Sequence, residues 1–334
     1  MITLLKRVLA VGVALVVAVL AYAFWYVATP VQVRKLPVEI EIAHGSAFRM
    51  VIEQFERAGV EVHPLSFEVL ARALDVANSV KAGSYEVAKR HTPLELLDRL
   101  ARGDVIHVEL KLLEGWNIRQ VRSMIDTSAF LRHETQGLDD RQLLDRLGAK
   151  EAHLEGLFFP DTYRFAKGSS DLGLLRRAYQ AMQNHLAEEW QARPPEIPYR
   201  SPYEALIMAS IIEKETARAG ERELIGGVLV NRLRIGMRLQ ADPTVIYGLG
   251  EGFDGNLRNV HLLDDGPYNS YTRAGLPPTP ISMPGLASLR AALQPANTNA
   301  LYYVSRGDGS SEFSRSLNEH NRAVDKFQRA PARR

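Results

Sequence analysis

The 334-residue chain contains no cysteine. Disulfides, thiolate metal sites and a cysteine nucleophile are therefore excluded, while no compartment is selected. An excess of charge of one sign is also missing. Lys and Arg number 41 against 39 Asp and Glu, a net charge of +2. That balance is too mild to imply nucleic acid, and no basic run with interleaved aromatics is present. Internal repeats and low-complexity segments are absent from the sequence. No His, Asp and Glu set has metal-ligand spacing, so no cofactor is expected. Apolar residues make up 46% of the chain and charged residues 24%, the proportions of a folded protein with sizeable cores. The length allows two soluble domains.

Charge is absent altogether from Val8 to Ala28, a run rich in Val, Leu and Ala. Such a run is long enough to cross a bilayer as one helix. Lys6 and Arg7 precede it and Arg34 and Lys35 follow, so the positive-inside bias favours a cytoplasmic N-terminus. Trp25 and Tyr26 suit the far interface. A cleaved signal peptide is the alternative, since Ala21-Tyr-Ala23 resembles a cleavage site. The apolar run continues five residues past Ala23, which favours an anchor over 8–28, a cytoplasmic tail over 1–7 and a linker over 29–37.

Beyond the linker, Val38–Ile42 alternates apolar and acidic residues, the pattern of a half-buried strand. Phe48, Val51, Ile52 and Phe55 fall at helical spacing with Gly59 as the stop. Ser66–Val76 reads as a second helix, Gly83–Val87 as a strand, and Thr92-Pro93 opens a helix that ends near Gly103. Val105–Leu113 alternates again. The strand–helix–helix–strand layout between Val38 and Val87 resembles a LysM-like module, which would imply binding of N-acetylglucosamine polymers. A structural spacer remains open for this segment, 38–113.

Residues 114–200 read as a connecting helical region. Within it, 155–165 carries Phe158, Phe159, Tyr163 and Phe165 around Pro160 and Asp161. These rings suit either a sugar-stacking platform or a hydrophobic wedge. Ser170–Ala192 is a long amphipathic helix, and Pro194, Pro195 and Pro198 break the chain after it. A core spans 201–328, followed by a short tail, 329–334, expected to fray.

The core begins with a helix at Ser201, whose Ser201, Pro202 and Glu204 form a capping-box pattern. From Ala205 to Ile212 it is apolar nearly all round, with only Ser210 interrupting, which predicts burial. Its last turn carries Glu213 and Glu215, about 200° apart on the helix. Glu215 stacks on Met208, Ile211 and Ile212; Glu213 stacks on Leu206, Ala209 and Ser210. A carboxyl held against apolar groups stays protonated near neutral pH and can act as a general acid. Downstream, Asn231–Gly248 and Tyr268–Gly285 are loop-rich and dense in amides, hydroxyls, Gly and Pro. Such groups bind neutral polyols, and long ordered loops are usually functional. Ser288–Leu293 reads as a helix and Leu301–Ser305 as a strand. Phe313–Asn321 leads into a last helix.

Ser210-Ile-Ile-Glu-Lys-Glu-Thr216, Asn231–Gly248, Tyr268–Gly285, Phe313–Asn321, Glu155-Gly156 and Phe159-Pro-Asp-Thr162 together resemble the endolytic murein transglycosylases of the MltG (YceG-like) family. The resemblance covers nearly the whole chain. It implies an α+β protein with one transmembrane helix, a LysM-like module and a mixed α+β catalytic domain built around a buried helix. It further implies a bacterial inner-membrane enzyme whose periplasmic domain cuts nascent peptidoglycan strands, with cell-wall synthases as possible partners. The second acid of the Glu-Lys-Glu-Thr segment, Glu215, would be catalytic. Gln240, Asp242, Thr244, Tyr247, Tyr268, Asn269 and Tyr271 are the expected substrate-binding shell, with Asn269 suited to an acetamido group. Glu213 and Lys214 are expected in structural ion pairs, and His320 and Asn321 could reach the cleft. A muramidase using Asp242 or Glu213 as base, or a non-enzymatic anchored cell-wall-binding scaffold, are the rival readings.

Overall fold

The computed structural model describes residues 2–43, 45–215 and 218–329. Thr216 of the Glu-Lys-Glu-Thr segment and positions 330–334 of the expected tail lie outside the described residues. The chain divides into two compact units, one formed by residues 1–109 with 164–169 and the other by 110–163 with 170–334.

The first unit opens with helix α1, Ile2–Ala28, long and apolar enough to cross a membrane. Strand β1, Gln32–Val33, follows inside the expected linker and pairs with β3, Val60–Glu61. Strand β2, Val38–Ile42, pairs antiparallel with β4, Gly83–Val87, with Ile40 opposite Tyr85. Between them lie α2, Phe48–Arg57, and α3, Pro64–Ala73. Alternation sends Ile40 and Ile42 inward to meet Val51, Ile52 and Phe55 of α2, Phe67 of α3 and Leu97 of α4, Pro93–Arg102. Helix α4 is bounded as its sequence demands. Thr92 and Glu95 form a reciprocal capping box (3.2 and 2.9 Å), and Gly103 closes the helix at φ 71°. Strand β5, His107–Lys111, ends this run.

The second unit begins with α5, Ile118–Asp126, β6, Leu131–Arg132, and α6, Asp140–Leu147. Strand β7, Thr162–Ala166, starts in this unit and ends in the first, and β8, Ser169–Ser170, leads back into the long α7, Asp171–Gln191. Phe158, Phe159, Tyr163 and Phe165 are all buried. A sugar platform in 155–165 is thereby excluded, because rings packed in a core offer no face to a ligand; the loop is an internal wedge.

Helix α8, Pro202–Glu215, has every side chain from Ala205 to Ile212 buried. Its N-terminal box is shifted by one position. The Glu204 amide binds Ser201 Oγ, but the Glu204 carboxylate accepts from the Arg200 amide at 2.6 Å rather than from Ser201. Helices α9, Arg222–Arg234, and α12, Leu286–Leu293, pack on α8 and on each other. Ser210, the polar break in α8, accepts the Ile281 amide at 2.9 Å, while its carbonyl accepts Ser282 Oγ at 3.1 Å. The hydroxyl that interrupts the apolar run from Ala205 to Ile212 thus pins the 281–282 loop instead of facing solvent. A short helix, α10 (Asp242–Leu249), occupies a segment whose sequence reads as loop, and α11 (Asn259–Leu263) follows it. The unit closes with the antiparallel hairpin of β9, Tyr302–Ser305, and β10, Ser311–Ser314, then α13, Leu317–Val324, continued by a wider turn over Asp325–Arg329.

Candidate active site

Glu215 ends α8, where the buried helix meets a cavity of about 540 Å³. Arg232 of α9, Gln240, Asp242, Tyr271, Tyr302 and Tyr303 of β9, and His320 and Asn321 of α13 line the same cavity. Burial is the main force on the Glu215 carboxyl and pushes its pKa up to about 7. A hydrogen bond from Tyr303 opposes the rise, the charge of Asp242 adds to it, and Arg232 opposes it. The Tyr303 hydroxyl donates to Oε2 at 2.8 Å. That oxygen is thereby engaged as an acceptor. Burial beside Glu215 drives the phenol well above its ordinary range, so it remains a donor at any working pH.

Arg232 is nearly enclosed. Its guanidinium donates to Leu301 O (2.7 Å) and Leu239 O (2.6 Å) and lies 5.4 Å over the Tyr302 ring. It therefore ties α9 to the start of β9 and to the segment that presents Gln240. Gln240 holds φ 49°, a left-handed conformation uncommon for a side-chain-bearing residue. Its amide is fixed to Ser270 O at 3.1 Å, and the Ala241 amide to Ser270 Oγ at 2.9 Å. Tyr271 donates to Asp242, which holds the second carboxylate of the cavity. His320 stacks on Tyr302 with centroids 5.2 Å apart.

Of the expected shell, Gln240, Asp242 and Tyr271 thus share the cavity with Glu215, as do His320 and Asn321. The remaining four do not line it, and each has a structural occupation. Thr244 is fully buried and its hydroxyl binds Ala241 O and Ser270 Oγ. Tyr247 donates to Glu155 at 3.0 Å and meets Tyr268 edge-on at 4.9 Å. The Tyr268 hydroxyl pairs with Thr279 at 2.8 Å. Asn269 cannot hold an acetamido group. Its amide nitrogen donates to the carbonyls of His261, Leu262 and Asp264, while its oxygen accepts from the Tyr271 amide at 2.8 Å. Thr244 and Asn269 satisfy backbone groups of the loops that carry Asp242 and Tyr271, while Tyr247 and Tyr268 bond the side chains of Glu155 and Thr279.

Glu213 faces the other way, as the helical rotation requires. Its carboxylate accepts from the Gly285 amide (3.0 Å) and Ser288 Oγ (2.7 Å) and pairs with Arg222 at 3.5 Å. It anchors the N-terminus of α12. Lys214 makes no ion pair among the described residues; it donates to Gly115 O at 3.2 Å. The expected ion pairing therefore holds for Glu213 and not for Lys214, because the facing group is a carbonyl.

Two residues escape the sequence reading, and a third, Glu155, enters it only as part of the Glu155-Gly156 match, with no role. Arg232 and Tyr303 carry no local signal beyond a helix and a strand. Glu155 is buried, and desolvation lifts it to about 7 although both oxygens accept the Ile118 amide (3.1 and 3.2 Å) and one accepts Tyr247. Its place within the aromatic wedge is the signal that could have revealed it. No group of three or more His, Asp or Glu able to hold a metal occurs among the described residues.

The model of the YceG-like family matches residues 40–326. The chain belongs to the YceG-like family. It is 29% identical over 310 residues to an endolytic murein transglycosylase of Bacillus subtilis (strain 168), covering 88% of this chain and 85% of that protein. It is 27% identical over 320 residues to the endolytic murein transglycosylase of Streptococcus pneumoniae serotype 2 (strain D39 / NCTC 7466), with 86% of this chain matched but only 58% of the streptococcal protein. A crystal structure of a YceG-like protein from Listeria monocytogenes superposes with a TM-score of 0.52 at 28% identity, over 86% of this chain and 98% of that one. Mapped on this YceG-like chain, the matched region takes in Glu215 and all the cavity residues named above.

Proposed function

We propose that this chain is a lytic transglycosylase that cuts the bond between N-acetylmuramic acid and N-acetylglucosamine within peptidoglycan strands, with Glu215 as acid and then base. The names of its relatives support the reaction class. The observation that carries the residue assignment is a carboxyl raised to about 7 at the wall of an open cavity, with one oxygen held by Tyr303. A group that must give a proton and take one back works best with its pKa near the operating pH.

Protonated Glu215 donates to the glycosidic oxygen as the bond from C1 breaks. Positive charge at C1 is relieved by the acetamido group of the same sugar. The carboxylate, stabilised by Tyr303 and the nearby Arg232 charge, then takes the C6 hydroxyl proton as that oxygen attacks C1. The product is a 1,6-anhydro end, no water is consumed, and Glu215 returns protonated. The internal attack carries the proximity advantage of an intramolecular nucleophile. Gln240, Asp242, Tyr271, His320 and Asn321 are the polar groups available to orient the sugars. No cofactor is needed for this sequence of steps.

Helix α1 would anchor the protein in the inner membrane, with the N-terminus cytoplasmic and both units periplasmic. Residues 38–113 would serve as a LysM-like glycan-holding module, supported by the pairing of β2 with β4 around α2 and α3, with the short β3 between the helices. Partnership with cell-wall synthases rests on the family resemblance alone. A hydrolytic reading draws support from Asp242, a second carboxylate in the same cavity that could activate water. Mass spectrometry of products from uncross-linked glycan strands separates the readings. Anhydro ends that vanish in Glu215→Gln are expected. Reducing ends would make the enzyme a hydrolase, and strands bound but uncut would favour a scaffold.

A further inference from the structure

Two short helices leave a pair of large apolar side chains in water: α11 with Val260 and Leu263, and α3 with Leu65 (71% exposed) and Val69 (65%). For α11 nothing in the structure indicates what lies opposite. For α3 the neighbouring helix does.

Leu65 and Val69 are four residues apart and share one face of α3. Ser66, between them, has its hydroxyl 2.9 Å from that of Tyr22 on α1. One turn further along α1, Tyr26 donates to His63 O, the residue that caps α3. Helix α4 also packs on α1, and its Leu94 is 44% exposed. The end of α1 is therefore bonded to the start of α3 rather than standing clear of it.

That bond fixes a depth. The charge-free run from Val8 to Ala28 spans about 31 Å as a helix, close to the roughly 30 Å hydrocarbon thickness of a bilayer. Tyr22 lies six residues before the end of that run, about 9 Å inside it. Tyr22, Trp25 and Tyr26 form a packed aromatic cluster there, with centroids 6.0 and 6.2 Å from Tyr22, the composition of a membrane–water belt. A helix hydrogen-bonded to Tyr22 therefore does not stand clear of the bilayer surface. Lys89 and Arg90 stand exposed just before α4, the helix that packs on α1.

We propose that the α3–α4 edge of the first unit lies in the membrane interface, with Leu65, Val69 and Leu94 in the boundary between headgroups and acyl chains and Lys89 and Arg90 on anionic lipid phosphates. The α3 face then acts as a short interfacial helix whose apolar side sinks about 5–10 Å. The assignment rests on the reading of α1 as an anchor. It turns a single-helix tether into a two-point attachment that fixes the orientation of the first unit on the membrane.

The absence of cysteine makes the test direct. Full-length chain carrying Leu65→Cys, Val69→Cys or Val16→Cys is labelled with an environment-sensitive fluorophore. Each is reconstituted in phosphatidylethanolamine–phosphatidylglycerol vesicles with or without lipids bearing nitroxide on the acyl chain. Leu65 and Val69 are exposed, so neither label disturbs the core. The expected result is quenching and a blue shift at all three positions, with Leu65 and Val69 at a shallower depth than Val16. Quenching at Val16 without quenching at Leu65 and Val69 overturns the interfacial assignment and leaves the anchor. No quenching at Val16 overturns the anchor and the interfacial assignment with it.

Discussion

Tyr303 donates its phenolic hydrogen to Oε2 of Glu215 across 2.8 Å, although the two residues lie 88 positions apart in the chain. The bond works against burial. Desolvation lifts the carboxyl, and Tyr303 holds the rise to about 7. Tyr303 is therefore a positioning residue that tempers the acidity shift of Glu215 and holds one of its oxygens.

Removing that donor should have a readable signature. In Tyr303→Phe the carboxylate loses its best hydrogen bond, so the Glu215 pKa rises. Activity that requires protonated Glu215 should decline as pH climbs through about 7 in the wild type, and in the variant the alkaline limb should move to higher pH. The maximal rate drops by about 10- to 100-fold because the carboxyl is no longer held. The rate of anhydro-end formation against pH checks this; an unmoved limb would show that Tyr303 is mere packing.

The two acids of α8 should separate cleanly in function. Glu213 is consumed by Gly285, Ser288 and Arg222. Glu213→Ala strands a mostly buried Arg222, and breaking such a pair costs about 3–5 kcal/mol. Thermal denaturation should register that loss, while the folded fraction still forms anhydro ends. Glu215→Gln should do the opposite: no product and no loss of stability. Product formation abolished by both, with equal stability, would sink the assignment.

This division was half legible in the sequence, and for physical reasons. Strands β2 and β4 and helices α4 and α12 follow from alternation, caps and helical spacing, which are local. The contrast between Glu213 and Glu215 also follows from helical rotation. The identity of their partners does not, since Tyr303 and Arg232 reach the cavity from a strand and a helix whose local pattern records only their own element. Thr244, Tyr247, Tyr268 and Asn269 mislead for a related reason. A polar residue in a loop looks the same in sequence whether it binds a sugar or satisfies the loop's own backbone. Only the tertiary pairing, such as the three carbonyls on Asn269, tells the two apart.

The support behind the site depends on two glycines in α9. A side chain at Gly226 would fall inside van der Waals contact of the Ala291 backbone carbonyl on α12, and one at Gly227 would sit 2.7 Å from Ala296 O. Backbone cannot give way as a side-chain tip can. Gly226→Ala should therefore destabilise by about 1–3 kcal/mol despite the better helix propensity of alanine. Because α9 also carries Arg232, activity below the melting temperature should fall as well. A variant with an unchanged or raised melting temperature would contradict this packing.

Stability should depend on pH through two buried acids. Glu215 and Glu155 both rise from 4.5 to about 7 in the folded chain. Between those values the native state binds more protons than the unfolded state, so stability falls as pH increases and levels off above about 7. Each shift corresponds to about 3 kcal/mol at most. Melting temperature is thus expected to fall from pH 4.5 to 7. Glu155→Gln should remove part of that slope while leaving anhydro-end formation intact, since the glutamine side-chain oxygen can still accept from the Ile118 amide or Tyr247. Glu215→Gln should remove another part and abolish activity, and the double variant should be nearly flat. A wild-type melting temperature that rises over this range, or a slope untouched by both substitutions, would mean that neither carboxyl is held protonated by the fold.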